Sequence, residues 1–129
     1  MNWWRSLVAV AVGGLLGCLL RWVLAMLLNR YVPTVPPGTL AANLIGCYII
    51  GVALALFTQY PAFAPEWRLF VTTGFCGGLT TFSTMQVETL KMIEHHYYGL
   101  AAGYTCASII FGLLAVYLAT AVVRRVRVR

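Results

Sequence analysis

Four apolar stretches constrain the fold most, because each is long enough to cross the hydrocarbon core of a bilayer. They cover residues 6–28, 38–57, 69–87 and 97–123. A membrane-spanning helix needs about 20 mostly apolar residues. Since the connections between the stretches are short, little of the chain remains to form a soluble domain. We therefore predict an all-α integral membrane protein with four transmembrane helices.

The composition agrees with this class of protein. Of the 129 residues, 61% are hydrophobic and 9% are charged, which is far from the composition of soluble domains. The length fits a single domain covering residues 1–129. The sequence shows no paired carboxylates, activated nucleophile or metal-ligand cluster, so we do not expect an enzyme.

The positive charge is concentrated at the C-terminus. The net charge is +6, and the tail contains Arg124, Arg125, Arg127 and Arg129. A basic tail directly after a spanning helix favours contact with anionic lipid, and we expect no nucleic-acid partner.

The lysines and arginines outside the tail are evenly divided. With four spans both termini lie on one side, together with Arg5 and Arg68, while Arg30 and Lys91 lie on the other side. This balance is compatible with insertion in both orientations, although the tail favours termini on the cytoplasmic side.

Small residues recur at a spacing of four on three of the spans. The pairs are Gly13 with Gly17, Ala42 with Gly46, and Gly99 with Gly103. Small residues let helix backbones approach closely in lipid, so we interpret all three pairs as helix-packing faces. Because so small a chain encloses little volume, a pathway forms more easily between two copies, and we expect a homodimer.

Arg21 places a charge within the first span. A charge at the centre of a bilayer costs about 2.5 to 3.5 kcal/mol on insertion scales. Two interpretations stay open: the side chain snorkels toward the nearer surface, or it forms a vestibule charge that attracts an anion.

Neutral hydrogen-bond donors follow the second and fourth spans. Thr39 and Asn43 are four residues apart, as are Tyr104 and Ser108, so each pair shares a helix face. Asn43 either bonds a neighbouring helix or donates to an anion. A row of neutral donors suits an anion that must move, because a fixed charge would hold it too strongly.

Glu88 lies near the end of the third span, and Lys91 follows three residues later. The simplest interpretation is an ion pair at the membrane interface. The alternative is a role in admitting or releasing a proton or an anion.

The third span contains the run "GFCGGLTTFSTM", which is unusual for a transmembrane helix. Gly77 and Gly78 each cost about 1 kcal/mol relative to alanine in a helix interior. Hydroxyl residues favour helix caps over helix interiors, and they are Thr80, Thr81, Ser83 and Thr84. We predict that the third helix breaks here and restarts, with Phe82 on the restarted helix. Helix ends at membrane depth form ion sites, with carbonyls facing a cation and amides facing an anion.

The chain resembles the small bacterial fluoride channels of the Fluc or CrcB family. The resemblance rests on "GGLLGCLLRW", "PPGTLAANLIGCYIIG" and "TTGFCGGLTTFST" in the first three spans. It implies an antiparallel homodimer of dual topology in the cell inner membrane. It further implies two fluoride pores and a structural Na⁺ at the centre of the dimer.

The resemblance also assigns roles to individual residues. The backbone carbonyls of Gly77 and Thr80 from both subunits would bind the Na⁺. Asn43 matches the pore asparagine. Phe82 matches the first of two pore phenylalanines, and Ser83 and Thr84 match hydroxyls beside it.

The remaining assignments concern the fourth helix and the charged residues. Tyr104 and Ser108 match a polar track, with Thr39 in the same donor row. Arg21 and Glu88 match charged positions. Met85 stands where the family has its second pore phenylalanine, and a thioether lacks the positive edge of an aromatic ring.

These observations lead to one function and two rivals. We expect a passive, fluoride-selective channel that lets fluoride leave the cytoplasm and confers fluoride resistance. The first rival is a proton-coupled small four-helix exporter, which needs a carboxylate inside the bundle. The second is a nonconducting structural partner in the membrane.

Overall fold

The computed structural model describes residues 2–127, and every regular element in this range is helical. The elements are α1 (Trp3–Leu28), α2 (Pro37–Gln59), α3 (Pro65–Leu69), a π-helical stretch (Phe70–Cys76), α4 (Gly77–Leu79), α5 (Ser83–Glu94) and α6 (Tyr98–Arg127). The prediction of an all-α chain is confirmed. Arg129 of the predicted tail lies outside the described residues.

Three of the described helices, α1, α2 and α6, are long and apolar enough to span a membrane. They correspond to the first, second and fourth predicted spans. The third predicted span, residues 69–87, is divided among α3, the π-helical stretch, α4 and α5. The helices support a membrane protein, while a fourth crossing by this divided segment stays a prediction.

Side chains of asparagine define the beginnings of α1 and α2. The Asn2 side chain accepts a hydrogen bond from the backbone N–H of Trp4 at 3.1 Å. The Asn29 side chain, just after α1, accepts one from the backbone N–H of Gly38 at 2.7 Å. Both bonds satisfy N–H groups that a helix start leaves without a partner.

The first glycine pair brings α1 against the backbone of the third segment. A Cβ on Gly13 would collide with the Phe70 carbonyl oxygen and lie 2.9 Å from the Phe75 nitrogen. A Cβ on Gly17 would collide with the Phe75 carbonyl oxygen and lie 2.8 Å from the Leu79 nitrogen. The predicted packing role of this pair is confirmed, because only a residue without Cβ permits this approach.

The other two pairs differ from each other. Ala42 is fully buried, and a Cβ on Gly46 would collide with the side chain of Thr80. A Cβ on Gly99 or Gly103 would meet no atom of the described chain within 4 Å, so both positions face open space. The packing prediction is therefore wrong for Gly99 and Gly103 within one chain.

Helices α2 and α6 run parallel and in close contact. Thr39 near the start of α2 and Tyr104 near the start of α6 bond the same carboxylate. Farther along, a Cβ on Gly51 would lie 2.8 Å from both the Ala119 Cβ and the Val116 carbonyl oxygen. The two helices therefore point the same way.

Large apolar side chains face outward from these helices. Leu15, Trp22 and Leu113 expose 60%, 61% and 68% of their surface, whereas Leu79 is fully buried. Exposed apolar surface of this extent is unfavourable in water but suits contact with lipid. The burial pattern therefore supports a membrane protein.

Candidate functional site

The helical path is interrupted at residues 80–82. Helix α4 ends at Leu79, Thr80 has extended backbone angles (φ −87°, ψ 152°), and α5 begins at Ser83. The Cys76 carbonyl oxygen accepts hydrogen bonds from the Thr80 backbone N–H at 3.0 Å and from the Thr80 hydroxyl at 2.8 Å. These bonds close the last turn of α4, as hydroxyl residues do when they bond four residues back.

Arg21 stabilises the α4 side of this interruption. Its Nε donates a 3.0 Å hydrogen bond to the Gly78 carbonyl oxygen. Carbonyls at a helix end lack intrahelical partners and carry partial negative charge, so a cation there is favourable. The sequence left two interpretations of Arg21 open, snorkelling and a vestibule charge. Neither of them included a hydrogen bond to a backbone carbonyl of the third segment.

Asn43, which lies on α2, stabilises the middle of the interruption. Its Nδ2 donates to the Thr81 carbonyl oxygen at 3.0 Å, and its Oδ1 accepts from the Thr81 backbone N–H at 2.7 Å. Both backbone groups of a residue outside any helix are thereby satisfied. One Nδ2 hydrogen remains for another acceptor, so Asn43 combines interhelical bonding with a free donor.

Thr81 also caps the beginning of α5. Its hydroxyl oxygen accepts a 3.2 Å hydrogen bond from the Thr84 backbone N–H and lies 3.5 Å from the Ser83 hydroxyl. The cap satisfies one of the N–H groups that a helix start leaves unpaired. Sequence reasoning identified Thr81 only as one of several hydroxyl residues. Its pairing with Asn43 was missed because nothing local links residues that are 38 positions apart.

Phe82 and Met85 lie in different environments. The sequence placed Phe82 on the restarted helix, but Phe82 precedes the first residue of α5, and 71% of it is exposed. Phe82 has helical backbone angles (φ −89°, ψ −43°) and directly precedes Ser83, so it lies at the very start of the restarted helix. Met85 is only 7% exposed and packs in a buried cluster that includes Met92 and Tyr104.

An open groove of about 470 Å³ runs beside the interruption. The predicted site residues in its lining are Asn43, Gly77, Thr80, Phe82, Met85 and Ser108. Four further polar residues in the lining, Thr72, Thr81, Gln86 and Thr105, were not predicted to belong to the site. For Thr105 a signal existed, because it lies three residues before Ser108 and so shares its helix face.

Two backbone carbonyls at this groove have no internal partner. Among the hydrogen bonds of residues 2–127 that lie outside the regular helices, none ends on the carbonyl oxygen of Gly77 or Thr80. Gly77 begins the three-residue helix α4 and Thr80 follows its last residue, so both carbonyls belong to the last turn, where a helix leaves its carbonyls unpaired. Carbonyl oxygens at an interrupted helix end are ligands for a cation such as Na⁺.

Glu88 on α5 bridges to both parallel helices. Its carboxylate accepts a 2.7 Å hydrogen bond from the Thr39 hydroxyl and a 2.8 Å bond from the Tyr104 hydroxyl. Thr39 and Tyr104 are 3% and 4% exposed. Within the described chain this interhelical bridge stands in place of the expected ion pair with Lys91. Hydrogen bonds to a carboxylate are about twice as strong as neutral ones.

The four predicted donors consequently form two groups rather than one row. Thr39 and Tyr104 donate to Glu88, and Ser108 donates to the Tyr104 carbonyl oxygen at 2.7 Å. Of the four, Asn43 retains a hydrogen without an acceptor in residues 2–127. An anion in the groove can meet this amide directly, and it can reach the hydroxyls of Thr39, Tyr104 or Ser108 only if they turn from their present acceptors.

Comparison with known proteins identifies similar chains of matching length. A family model described as "CrcB-like protein, Camphor Resistance (CrcB)" matches residues 8–120, which include every residue of the groove and of the Glu88 bridge. A Pseudomonas aeruginosa protein named fluoride-specific ion channel FluC is 50% identical over 118 residues, covering 88% of this chain and 93% of the relative. A Mycolicibacterium paratuberculosis protein named fluoride-specific ion channel FluC 1 is 51% identical over 126 residues, covering 98% and 96%.

Proposed function

The chain belongs to the CrcB family, whose members are ion channels rather than enzymes, and we propose on this premise that it is a passive, fluoride-selective channel. The expectation that the chain is not an enzyme is confirmed by this membership. The observation that carries the fluoride assignment is the groove, in which a free amide hydrogen of Asn43 and the exposed ring of Phe82 lie together.

These groups suit a small anion. The edge of the Phe82 ring is electropositive, and the Asn43 amide is a neutral donor. Neutral groups replace part of a hydration shell without trapping the ion, as conduction requires. Ser83 and Thr84 lie in the first turn of α5, where backbone N–H groups favour negative charge.

The hydroxyls that bond Glu88 offer fluoride a second binding position after the groove. Thr39 and Tyr104 already donate to one anionic group, the Glu88 carboxylate. A fluoride that arrives from the groove competes with that carboxylate for the same two hydrogens. Glu88 also lines a cavity of about 380 Å³ together with Lys91, whose positive charge offsets the repulsion between carboxylate and anion.

Met85 reduces the number of favourable contacts with the ion. It lines the groove, but it is buried against α6 and has no aromatic edge to present. We therefore expect throughput to depend more strongly on Phe82 than it would with a second phenylalanine.

A structural Na⁺ fits the carbonyl pair at the end of α4. Gly77 and Thr80 offer two carbonyl oxygens, and a second copy related by symmetry would supply two more. The ion would neutralise the partial negative charge of four carbonyl groups and hold the two copies together. The cation has a structural role and takes no part in moving fluoride.

A second copy also closes the groove. In one chain the groove is open and Phe82 is exposed, so a conducting path needs a wall that the chain does not provide. We propose an antiparallel homodimer with two such grooves, each closed by the other copy. The resulting channel would lie in the inner membrane, export cytoplasmic fluoride and confer fluoride resistance.

Fluoride efflux from sealed liposomes containing purified protein tests the channel. We expect fast efflux that follows an imposed membrane potential, needs no proton gradient and excludes chloride. Efflux no faster than from protein-free liposomes would contradict the proposal and favour the nonconducting structural partner.

Labelling of the N-terminus tests the dual topology. An Asn2→Cys variant, with the four native cysteines replaced, should react with an impermeant maleimide from both sides of the membrane in comparable amounts. Labelling from one side alone would contradict the antiparallel arrangement but would leave the fluoride assignment standing.

Glu88 gives one specific reason to retain the proton-coupled exporter as a second candidate, since its carboxylate lies between helices. An exporter requires this carboxylate to exchange protons with the substrate. Efflux that stops in the Glu88→Gln variant and drives proton uptake in the native protein would favour the exporter. Efflux at unchanged internal pH favours the channel.

A further inference from the structure

The far ends of α2 and α6 enclose a crevice that the fluoride path does not use. Its volume is about 480 Å³, and its lining includes Leu54, Thr58 and Gln59 from α2 and Thr120, Arg124 and Arg127 from α6. Among the described residues, no carboxylate belongs to this lining. The crevice is therefore a basic site with an apolar side.

The crevice lies between the two helices, on the C-terminal side of their contact at Gly51 and Ala119. Gly51 and Ala119 bring the backbones together. Helix α2 ends at Gln59, whereas α6 continues to Arg127. Thr39 and Tyr104 bond the same carboxylate, and Gly51 faces Val116, so Gln59 lies near the level of Arg124. Helix α6 then continues three residues farther to Arg127, beyond the end of α2.

The arginines are suitably placed to bind one anion together. Arg124 and Arg127 are three residues apart on α6, so they lie on the same helix face. The hydroxyls of Thr58 and Thr120 donate to carbonyls of their own helices at 2.8 Å, which leaves the guanidinium groups as the strong donors of the crevice. A guanidinium group can donate two parallel hydrogen bonds to two oxygens of one phosphate.

The position of the crevice indicates the source of the phosphate. The end of α1 meets the start of α2, because Gly38 bonds Asn29, so α1 begins at the crevice end of the molecule. The exposed Trp3 and Trp4 at the start of α1 therefore mark this end as the membrane interface. Leu54 lies one turn deeper and is 51% exposed, so apolar surface continues from the arginines toward the hydrocarbon. A free phosphate ion would gain nothing from this surface, whereas an acyl chain would.

We propose that this crevice binds the phosphate headgroup of an anionic lipid. Arg124 and Arg127 contact the phosphate, and the acyl chain lies along Leu54. Basic pockets between transmembrane helices at a membrane surface are typical sites for such lipids. The site stands apart from the groove and does not rest on fluoride conduction.

Titration of the detergent-purified protein with phosphatidylglycerol, followed by native mass spectrometry, tests the site. Arg124→Gln and Arg127→Gln should each weaken binding about fivefold, as expected for the loss of one arginine near an anionic headgroup. Arg125→Gln is the matched control, because it removes the same charge from the same helix turn but does not line the crevice. It should change binding less than twofold.

Three outcomes would overturn the proposal. Arg125→Gln could weaken binding as much as the crevice variants, which would indicate general attraction to a basic tail. Phosphatidylcholine could bind as tightly as phosphatidylglycerol. Inorganic phosphate could displace the lipid at equal concentration, which would indicate an ion site. Unchanged elution volumes of all three variants establish that they remain folded.

Discussion

At the scale of single residues, Asn43 combines two tasks that a substitution can separate. Its amide bonds both backbone groups of Thr81, and it keeps one hydrogen toward the groove. The first task shapes the interruption, and the second offers a contact to the ion.

Replacing Asn43 should therefore affect stability and conduction differently, depending on the substituent. Asn43→Ala leaves two backbone groups unpaired, at about 1 to 3 kcal/mol each, so both the apparent Tm in detergent and fluoride efflux should fall. Asn43→Asp keeps an acceptor for the Thr81 N–H but replaces the donor with negative charge. It should reduce efflux at least tenfold with a smaller loss of Tm. Native efflux in Asn43→Asp would show that the amide does not contact the ion.

The Glu88 bridge makes a second prediction at this scale. Tyr104→Phe removes one hydrogen bond to a carboxylate and should lower the free energy of unfolding by about 1.5 to 3 kcal/mol. Tyr117→Phe is the matched control, because Tyr117 is 69% exposed on the same helix, and its effect should stay within about 0.5 kcal/mol. Equal effects of the two variants, measured by chemical unfolding in detergent, would contradict the bridge.

Arg21 and Glu88 illustrate what the sequence predicts about single residues. Their charge inside an apolar context identified them as special, because burying a charge is costly. Their partners could not be predicted, since the Gly78 carbonyl and the two hydroxyls belong to other helices. Local spacing suggested Lys91 for Glu88, but the tertiary fold provides two donors at shorter range.

At the scale of helices, the close contact between α1 and the third segment depends on Gly13 and Gly17. Gly17→Ala should lower the free energy of unfolding by about 1 to 3 kcal/mol, because backbone atoms on the facing segment cannot move aside. Gly103→Ala should be neutral or stabilising by up to about 1 kcal/mol, because its site is open and alanine favours helix. Thermal unfolding in detergent measures both, and the reverse order would contradict the assigned packing.

The sequence predicts the long helices well and the irregular third segment only in part. Apolar length identified α1, α2 and α6, because hydrophobic thickness alone determines such helices. The residues between α4 and α5 lie within the run of glycines and hydroxyls that the sequence singled out. The π-helical stretch Phe70–Cys76 was missed, because its extra residue per turn has no recognised sequence pattern.

At the scale of the whole molecule, the proposed Na⁺ links metal binding to assembly. An ion that binds only the dimer stabilises it by about 2.7 kcal/mol when its concentration is 100 times the Kd. Replacing Na⁺ with N-methylglucamine should therefore lower the apparent Tm and increase the monomer fraction on size exclusion. Restoration by Na⁺ but not by K⁺ is expected, and a Tm that is independent of both ions would contradict a bound Na⁺.

The interruption is held from two sides, by Arg21 of α1 and by Asn43 of α2, and both helices precede it in the chain. Synthesis proceeds from the N-terminus, so these two helices are complete before residues 65–94 leave the ribosome. The third segment, which forms no single long apolar helix, thus meets its hydrogen-bonding partners already in the membrane. The order of the helices along the chain therefore sets an order of assembly. The least hydrophobic segment enters after α1 and α2 have formed the site that receives it, and α6 then packs against α2 and α5.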